Sequence, residues 1–202
     1  MRSFRRAVAG ILVLSALVCS GCFTKTKKNK EFSYDDLEAV MDEFSTCKTE
    51  NVEDYNHASR QGGDFMYLIC SGDEAQDFYT KGVNRLKMFP SLKISQLFYC
   101  MPYKGGCFFM VTSKKSGNGK KYFEMLCNSK GGQMAGAEPP QKSDDYQYCI
   151  CDNDPFYIAI YQRGDTVLFL QVLKKKDIVV EIADDVCEKL GIISLSEWSQ
   201  DN

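Results

Sequence analysis

FYIAIYQRGDTVLFLQV, residues 156–172, predicts the centre of the sheet, because it contains two apolar runs separated by one tight-turn signal. Gly164-Asp165 suits a two-residue hairpin turn with glycine in the first central position. That turn fixes a register that places one set of apolar side chains on a common face: Tyr157, Ala159 and Tyr161 beside Leu168, Leu170 and Val172. The other face is apolar too, so we predict a central hairpin covered on both sides.

The segments around this hairpin predict further strands and a covering helix. Residues 146–151 indicate a third strand, and 97–101 with 107–112 predict a second hairpin around Pro102-Tyr103-Lys104-Gly105-Gly106. Asp177–Leu190 predicts a helix that ends at Gly191. Its expected buried stripe is Ile178, Ile182, Val186 and Leu190.

The first half of the folded part predicts two more helices and one buried strand. Ser33 is the expected N-cap of a helix that buries Leu37, Val40, Met41 and Phe44. Residues 64–70 indicate a buried strand, and Ser71-Gly72-Asp73-Glu74 has the capping-box pattern. The helix that it opens has the expected face Ala75, Phe78, Tyr79, Val83 and Leu86.

Polar segments separate these elements. Residues 48–63, 114–121 and 130–145 are predicted connections or loops, and 122–128 fits either a short helix or a strand. Residues 33–202 therefore form one expected α+β domain, with helices packed on a mainly antiparallel sheet built of hairpins.

The N-terminus has the order of a secretory signal. Arg2, Arg5 and Arg6 precede an uncharged stretch at residues 7–18. As a helix, that stretch would reach only about 18 Å, whereas a membrane-spanning helix must cross roughly 30 Å of hydrocarbon. The segment therefore indicates export.

The end of this segment, Cys19-Ser20-Gly21-Cys22, resembles the lipobox of bacterial lipoproteins. Ser20, Gly21 and Cys22 match the pattern, and Cys19 stands where leucine is usual. The resemblance implies that residues 1–21 are a signal peptide, cleaved after diacylglycerol is attached to Cys22. Residues 22–32 would then be a lipidated cysteine and a basic tether, holding the domain on the extracytoplasmic face of a membrane. Cleavage without lipidation and an uncleaved anchor are the alternatives.

Eight cysteines remain beyond the anchor region, an even number that suits disulfides in an exported protein. Cys100 and Cys107 are the best candidate pair, because a hairpin centred on Tyr103-Lys104 would set them directly opposite each other. The alternative is that the cysteines are small buried hydrophobic residues.

Other motifs are weaker. Cys149-Ile150-Cys151 places two thiols on one side of a strand, but no second cysteine or histidine pair stands at metal-ligand spacing. His57 is the only histidine, and we interpret it as an exposed loop residue. Arg163-Gly164-Asp165 would be displayed at a hairpin tip as an adhesion motif, although the turn alone explains it. We therefore expect no metal and no cofactor.

The sequence predicts where the protein is attached better than what it does. No catalytic motif is present, and the formal net charge of −2 gives no reason to expect nucleic acid as a partner. An extracytoplasmic binding or interaction domain with an unknown ligand or envelope partner is the leading hypothesis. The alternatives are a thiol-dependent envelope enzyme that uses Cys149 or Cys151, and a cell-envelope assembly factor.

Overall fold

The computed structural model describes residues 31–44, 47–60, 65–128, 134 and 137–201. The predicted signal peptide, Cys22 and the tether up to Lys30 lie outside them. Within the described residues, no helix has both the length and the apolar character needed to cross a bilayer. The described residues form six α-helices and one eight-stranded sheet, which confirm the predicted α+β class.

The sheet is antiparallel except at one edge. Its spatial order is β1-β2-β3-β4-β8-β7-β6-β5, and only the β1–β2 pair is parallel. The strands are β1 Lys48–Thr49, β2 Tyr67–Ser71, β3 Ile94–Cys100, β4 Gly106–Ser113, β5 Gln141–Lys142, β6 Gln147–Asn153, β7 Phe156–Arg163 and β8 Thr166–Leu173.

Helices cover both faces of this sheet. They are α1 Tyr34–Phe44, α2 Val52–Arg60, α3 Gly72–Phe78, α4 Asn118–Cys127, α5 Asp177–Leu190 and α6 Leu195–Asp201. Buried residues of α1 and α5, with Leu195 at the start of α6, pack on one face, and those of α2, α3 and α4 pack on the other. The sheet is thus the middle layer of three, with an apolar core on each side.

The β7–β8 hairpin lies where the sequence predicts it. Tyr161 pairs with Leu168, Ala159 with Leu170 and Tyr157 with Val172, which is the predicted register. Gly164 has φ of 60°, a conformation that glycine adopts without steric cost. Because β7 and β8 carry buried side chains on both faces, the prediction of a doubly covered hairpin is confirmed.

The caps of the first and fifth helices also agree with the sequence. The backbone amide of Asp36 donates to Ser33 Oγ at 3.2 Å, which satisfies one exposed N–H of α1. Gly191 ends α5 in the left-handed conformation with φ of 64°. One detail of the predicted stripe is wrong: Ile178 is 37% exposed, and the neighbouring Val179 is buried in its place.

All three segments predicted as connections contain part of a helix or a strand, and residues 130–145 contain β5. Residues 48–63 contain β1 and α2, where Asn51 Oδ1 accepts the backbone N–H of Asp54 at 2.8 Å and the side chain of Tyr55 is buried. Residues 114–121 contain the start of α4 at Asn118. Both helices begin among polar residues, so their narrow apolar stripes are hard to see in the sequence.

The predicted capping box at Ser71 does not form. Ser71 makes no side-chain cap contact with α3. Glu74 instead accepts the backbone N–H of Val52 at 2.8 Å and so caps the neighbouring helix α2. Beyond Phe78 the chain continues as a π-turn at Tyr79–Val83, which rotates the helical face predicted from the sequence. Leu86 is therefore not on the buried face, and it is 77% exposed. The prediction that Leu86 is buried is wrong.

Candidate functional site

A cleft of about 780 Å³ lies at the end of the sheet where β3 begins and β4 ends. We call it the basic cleft, because it is lined by four cationic side chains and only one carboxylate, which is Asp73. Its cationic lining consists of Arg85, Lys87, Lys93 and Lys114, and its apolar and aromatic lining consists of Tyr79, Phe89, Leu92 and Ile94.

Two side-chain amides hold the loop that forms one wall of the basic cleft. Asn84 Nδ2 donates to the carbonyl of Phe89 at 2.9 Å, and Asn84 Oδ1 accepts the N–H of the same residue at 2.9 Å. Gln76 bridges the far end of the loop, donating to the Leu92 carbonyl at 3.3 Å and accepting the Ile94 N–H at 3.0 Å. These side-chain hydrogen bonds take the place of backbone hydrogen bonds between strands, and they fix the backbone that carries Arg85 and Lys87.

Two buried tyrosines lie beneath this loop. Tyr79 donates its hydroxyl hydrogen to the Pro90 carbonyl at 3.0 Å, and the hydroxyl oxygens of Tyr79 and Tyr122 are 2.6 Å apart. Since Tyr79 has one hydrogen and gives it to Pro90, Tyr122 is the donor of the second bond. Burial raises the pKa of Tyr79 to about 12 and also raises that of Tyr122. Both phenols are therefore neutral and bind α4 to the wall of the basic cleft.

The cations of the basic cleft outnumber its one carboxylate. Among the described residues, no ion pair includes Arg85, Lys87, Lys93 or Lys114. A smaller adjoining cleft of about 320 Å³ shares Lys93 and adds Lys115 and Lys121. The local excess of positive charge contrasts with the net charge of −2 for the chain, so this end of the molecule attracts anions.

A second concavity, the acidic depression, lies on α2 and has a volume of about 760 Å³. It is lined by Val52, Glu53, Asp54, Asn56, His57 and Glu74. His57 is thus on a helix and not on the predicted loop, although it is exposed as expected. The lining of the depression contains no cysteine, so it offers His57 no thiol nucleophile.

Three thiols, those of Cys127, Cys149 and Cys151, form a cluster at the C-terminal end of α4. Cys127 at the end of α4 is hydrogen-bonded to Cys149 of β6, which lowers the pKa of Cys149 and raises that of Cys127. Cys149 Sγ also lies 3.3 Å from the Glu138 carbonyl, and Cys151 Sγ lies 3.8 Å from Met134 Sδ. The described part of the chain holds no group of three or more metal-ligating side chains at suitable geometry.

The predicted pairing of Cys100 with Cys107 is wrong. Cys100 lies opposite Phe108, and Cys107 lies opposite Gln171 of β8, so the β3–β4 register is one residue longer than expected. A shift of one residue turns a side chain to the other face of the sheet. Cys100 accordingly packs in one core and Cys107 against the other, and neither is in a disulfide.

The tripeptide at the β7–β8 turn is also not displayed for adhesion. The Arg163 side chain is 11% exposed, donates to the Leu190 carbonyl at 3.0 Å and lies 3.4 Å from the carboxylate of Asp145. Its guanidinium sits 4.7 Å from the centre of the Phe32 ring. Asp165 accepts the backbone N–H of Gly119 at 3.2 Å. Both charged side chains therefore hold the fold together at this turn.

No protein-family model and no curated protein sequence matches this chain. Sequence reasoning identified none of the residues of the basic cleft as functional, because they come from a mispredicted helix face and a predicted loop. The signal that points to them is the alternation of cationic and apolar residues in Arg85-Leu86-Lys87-Met88. A helix face that packs against a sheet has apolar residues every three or four positions, so this two-residue alternation does not fit one.

Proposed function

We propose that this chain is a bacterial lipoprotein whose extracytoplasmic domain binds an anionic organic ligand in the basic cleft. The observation that carries the ligand class is the set of four cations, which form no ion pair with any described residue, around an aromatic and apolar floor. Binding sites for small molecules combine such an apolar surface with a few polar groups that fix orientation. The four cations would contact the anionic group, while Phe89 and Leu92 would contact the apolar part.

Lipid anchoring is supported by the sequence at Ser20, Gly21 and Cys22. The decisive experiment is the intact mass of the full chain after expression in a bacterial host and extraction from its membranes. We expect loss of residues 1–21 and the added mass of acyl chains, and we expect Cys22→Ser to abolish both. Cys19→Ser is the matched control and should be processed normally. Retention of Met1 without acylation would refute the anchor.

Ligand binding is tested with phenyl phosphate, which joins an anionic group to an aromatic ring. Calorimetric titration of the detergent-extracted protein should give saturable binding that is tighter than that of inorganic phosphate or phenol. Lys93→Gln combined with Lys114→Gln should weaken it, whereas Lys104→Gln combined with Lys175→Gln, at the other end of the sheet, should not. Equal binding by both double variants would show that the basic cleft is not the site.

A thiol-dependent activity is the second candidate, because Cys149 is the one cysteine among the described residues whose pKa is lowered. Its burial works against this function, since a reacting thiol needs access to substrate. Timed alkylation of the folded protein with iodoacetamide discriminates between the two. A structural role predicts that the exposed Cys47 reacts first and Cys149 slowly, whereas fast labelling of Cys149 at neutral pH would favour an enzyme.

A further inference from the structure

The end of the sheet that carries the basic cleft also carries exposed apolar side chains. Leu86 is 77% exposed, and Met88 and Met125 are each 53% exposed. Leu86 and Met88 alternate with Arg85 and Lys87 of the basic cleft, and Met125 lines the adjoining smaller cleft. Large apolar residues surrounded by cations are the composition of surfaces that rest in the headgroup region of a bilayer.

The first described residues lie at this same end of the sheet. Phe32 packs under the guanidinium of Arg163, next to the β7–β8 turn, and the Tyr34 hydroxyl bonds to the Gln96 carbonyl at 3.1 Å near the start of β3. The backbone N–H of Ser113, beside Lys114, donates to the carbonyl of Asp165 at 2.9 Å in that turn. The first described residues, the β7–β8 turn and the basic cleft therefore lie at the same end of the sheet.

The length of the preceding segment limits how far this end can lie from a membrane. Nine peptide steps separate Cys22 from Glu31. Each spans at most about 3.6 Å, so a lipid on Cys22 stays within about 32 Å of the first described residue. That segment contains four further cations, Lys25, Lys27, Lys28 and Lys30.

From these observations we propose that the end of the domain formed by Arg85–Met88, Lys93, Lys114 and Met125 docks on an anionic phospholipid bilayer, and that the basic cleft receives a phospholipid headgroup. This inference rests on the proposed lipid anchor and names the ligand class of the proposed binding site. The cations contact phosphate, the exposed Leu86 and Met88 enter the boundary between headgroups and acyl chains, and the anchor keeps the surface at high local concentration.

The docked end is identified by a pair of matched methionine substitutions. Met88 lies at the cleft end, and Met101, which is 47% exposed, lies in the β3–β4 connection at the opposite end. Each is changed to Trp in a Trp198→Phe background, so that the new indole is the only one. The lipidated protein is reconstituted on vesicles of phosphatidylglycerol and phosphatidylcholine that contain brominated acyl chains, and quenching of indole fluorescence is measured.

We expect blue-shifted and quenched emission for Met88→Trp and unchanged emission for Met101→Trp. Removing phosphatidylglycerol should lower the ratio of docked to undocked protein. Lys93→Gln combined with Lys114→Gln should lower this ratio by about 30-fold. Lys104→Gln with Lys175→Gln is the matched control and should leave the ratio unchanged. High salt should act in the same direction as charge removal.

Three results would overturn the proposal in distinguishable ways. If the protein floats with the vesicles but the indole at position 88 is not quenched, the anchor stands and the docking surface is wrong. If quenching is the same without phosphatidylglycerol, the headgroup contact is wrong. If the protein does not float with the vesicles at all, the anchor fails, and the docking proposal fails with it. Displacement of bound phenyl phosphate by phosphatidylglycerol vesicles, and not by inorganic phosphate, would assign the cleft to the lipid headgroup.

Discussion

The basic cleft and the acidic depression have similar volumes, about 780 and 760 Å³, but their charged side chains differ in the hydrogen bonds and ion pairs that they make. In the acidic depression, Glu74 accepts the N–H of Val52, and Asp54 pairs with the Asn51 side chain at 2.6 Å. These acids stabilise the start of α2, where backbone N–H groups need acceptors. In the basic cleft, the described residues provide the cations with no such partner.

This difference separates structural charges from available ones. A carboxylate that already accepts hydrogen bonds from a helix end has less to offer a ligand, and its removal costs stability. A lysine without an ion pair contributes little to folding and keeps its full charge for a partner. The two concavities have nearly equal volumes, so the proposal that the basic cleft binds a ligand depends on how the charges of each concavity are used.

The largest expected effect is a loss of stability at alkaline pH that involves both regions. Burial raises the pKa of Tyr79 under the basic cleft to about 12, and it raises the pKa of Tyr55 on the buried side of α2. The unfolded chain ionises its tyrosines near their ordinary pKa of about 10 and so binds fewer protons than the folded chain above that pH. The stabilisation is complete below about pH 10 and is lost as the pH rises toward 12.

Urea unfolding at several pH values from 8 to 11 would measure this. Because the thiols of Cys70 and Cys107 also have raised pKa values, of about 12 and about 11, the decline should begin near pH 9, where an unfolded cysteine ionises. A free energy of unfolding that stays constant through pH 11 would mean that these groups are not buried as described.

The second prediction concerns Gly119, at which α4 crosses the β7–β8 turn. A Cβ atom at this position would lie 2.6 Å from the backbone of Asp165. Gly119→Ala should therefore destabilise the protein by about 3 kcal/mol, since main chain and not a flexible side chain must move. Gly82→Ala is the control, because its Cβ would meet the Phe78 ring at 3.3 Å. If both variants unfold at the same urea concentration, α4 does not approach the turn this closely.

The third prediction tests whether the buried tyrosines hold the basic cleft together. Tyr79→Phe removes the hydrogen bonds that its hydroxyl makes to the Pro90 carbonyl and to the Tyr122 hydroxyl, and both groups lose this partner. We expect a loss of about 2 kcal/mol in the free energy of unfolding, with weaker phenyl phosphate binding. Tyr103→Phe is the control, because the one hydrogen bond of its hydroxyl to a described residue is the 3.5 Å contact with the Phe44 carbonyl. Equal losses in the two variants would contradict a special role for the pair.

The two central hairpins show how far the sequence could predict the fold. In β7–β8, Gly164 and Asp165 leave one compatible turn, so the register and both buried faces followed from the residues alone. In β3–β4, the connection closes through a 3₁₀ turn in which Tyr103 and Lys104 have φ of 49° and 54°. Such a conformation has no clear signature in non-glycine residues, and the resulting one-residue shift moved Cys107 to the other face.

The basic cleft was beyond sequence reasoning for a different physical reason. Its wall is held by Gln76, which bonds to Leu92 and Ile94, and by Asn84, which bonds to Phe89. Polar side chains that satisfy backbone groups up to 18 positions away leave no periodic pattern in the sequence. The anchor motif, by contrast, is local, so the sequence predicted the expected attachment site but not the candidate ligand site.

The smallest expected effect compares one charge from each region directly. Glu74→Ala removes the acceptor of the Val52 N–H and should lower the free energy of unfolding by about 1 kcal/mol. Lys93→Ala should change it by less than about 0.5 kcal/mol, because no ion pair in the described structure uses this lysine. Their effects on phenyl phosphate binding should be reversed, with a loss for Lys93→Ala alone. The opposite result, in which Lys93→Ala destabilises the fold and Glu74→Ala weakens binding, would contradict the division between structural and available charges. It would indicate the acidic depression as the ligand site.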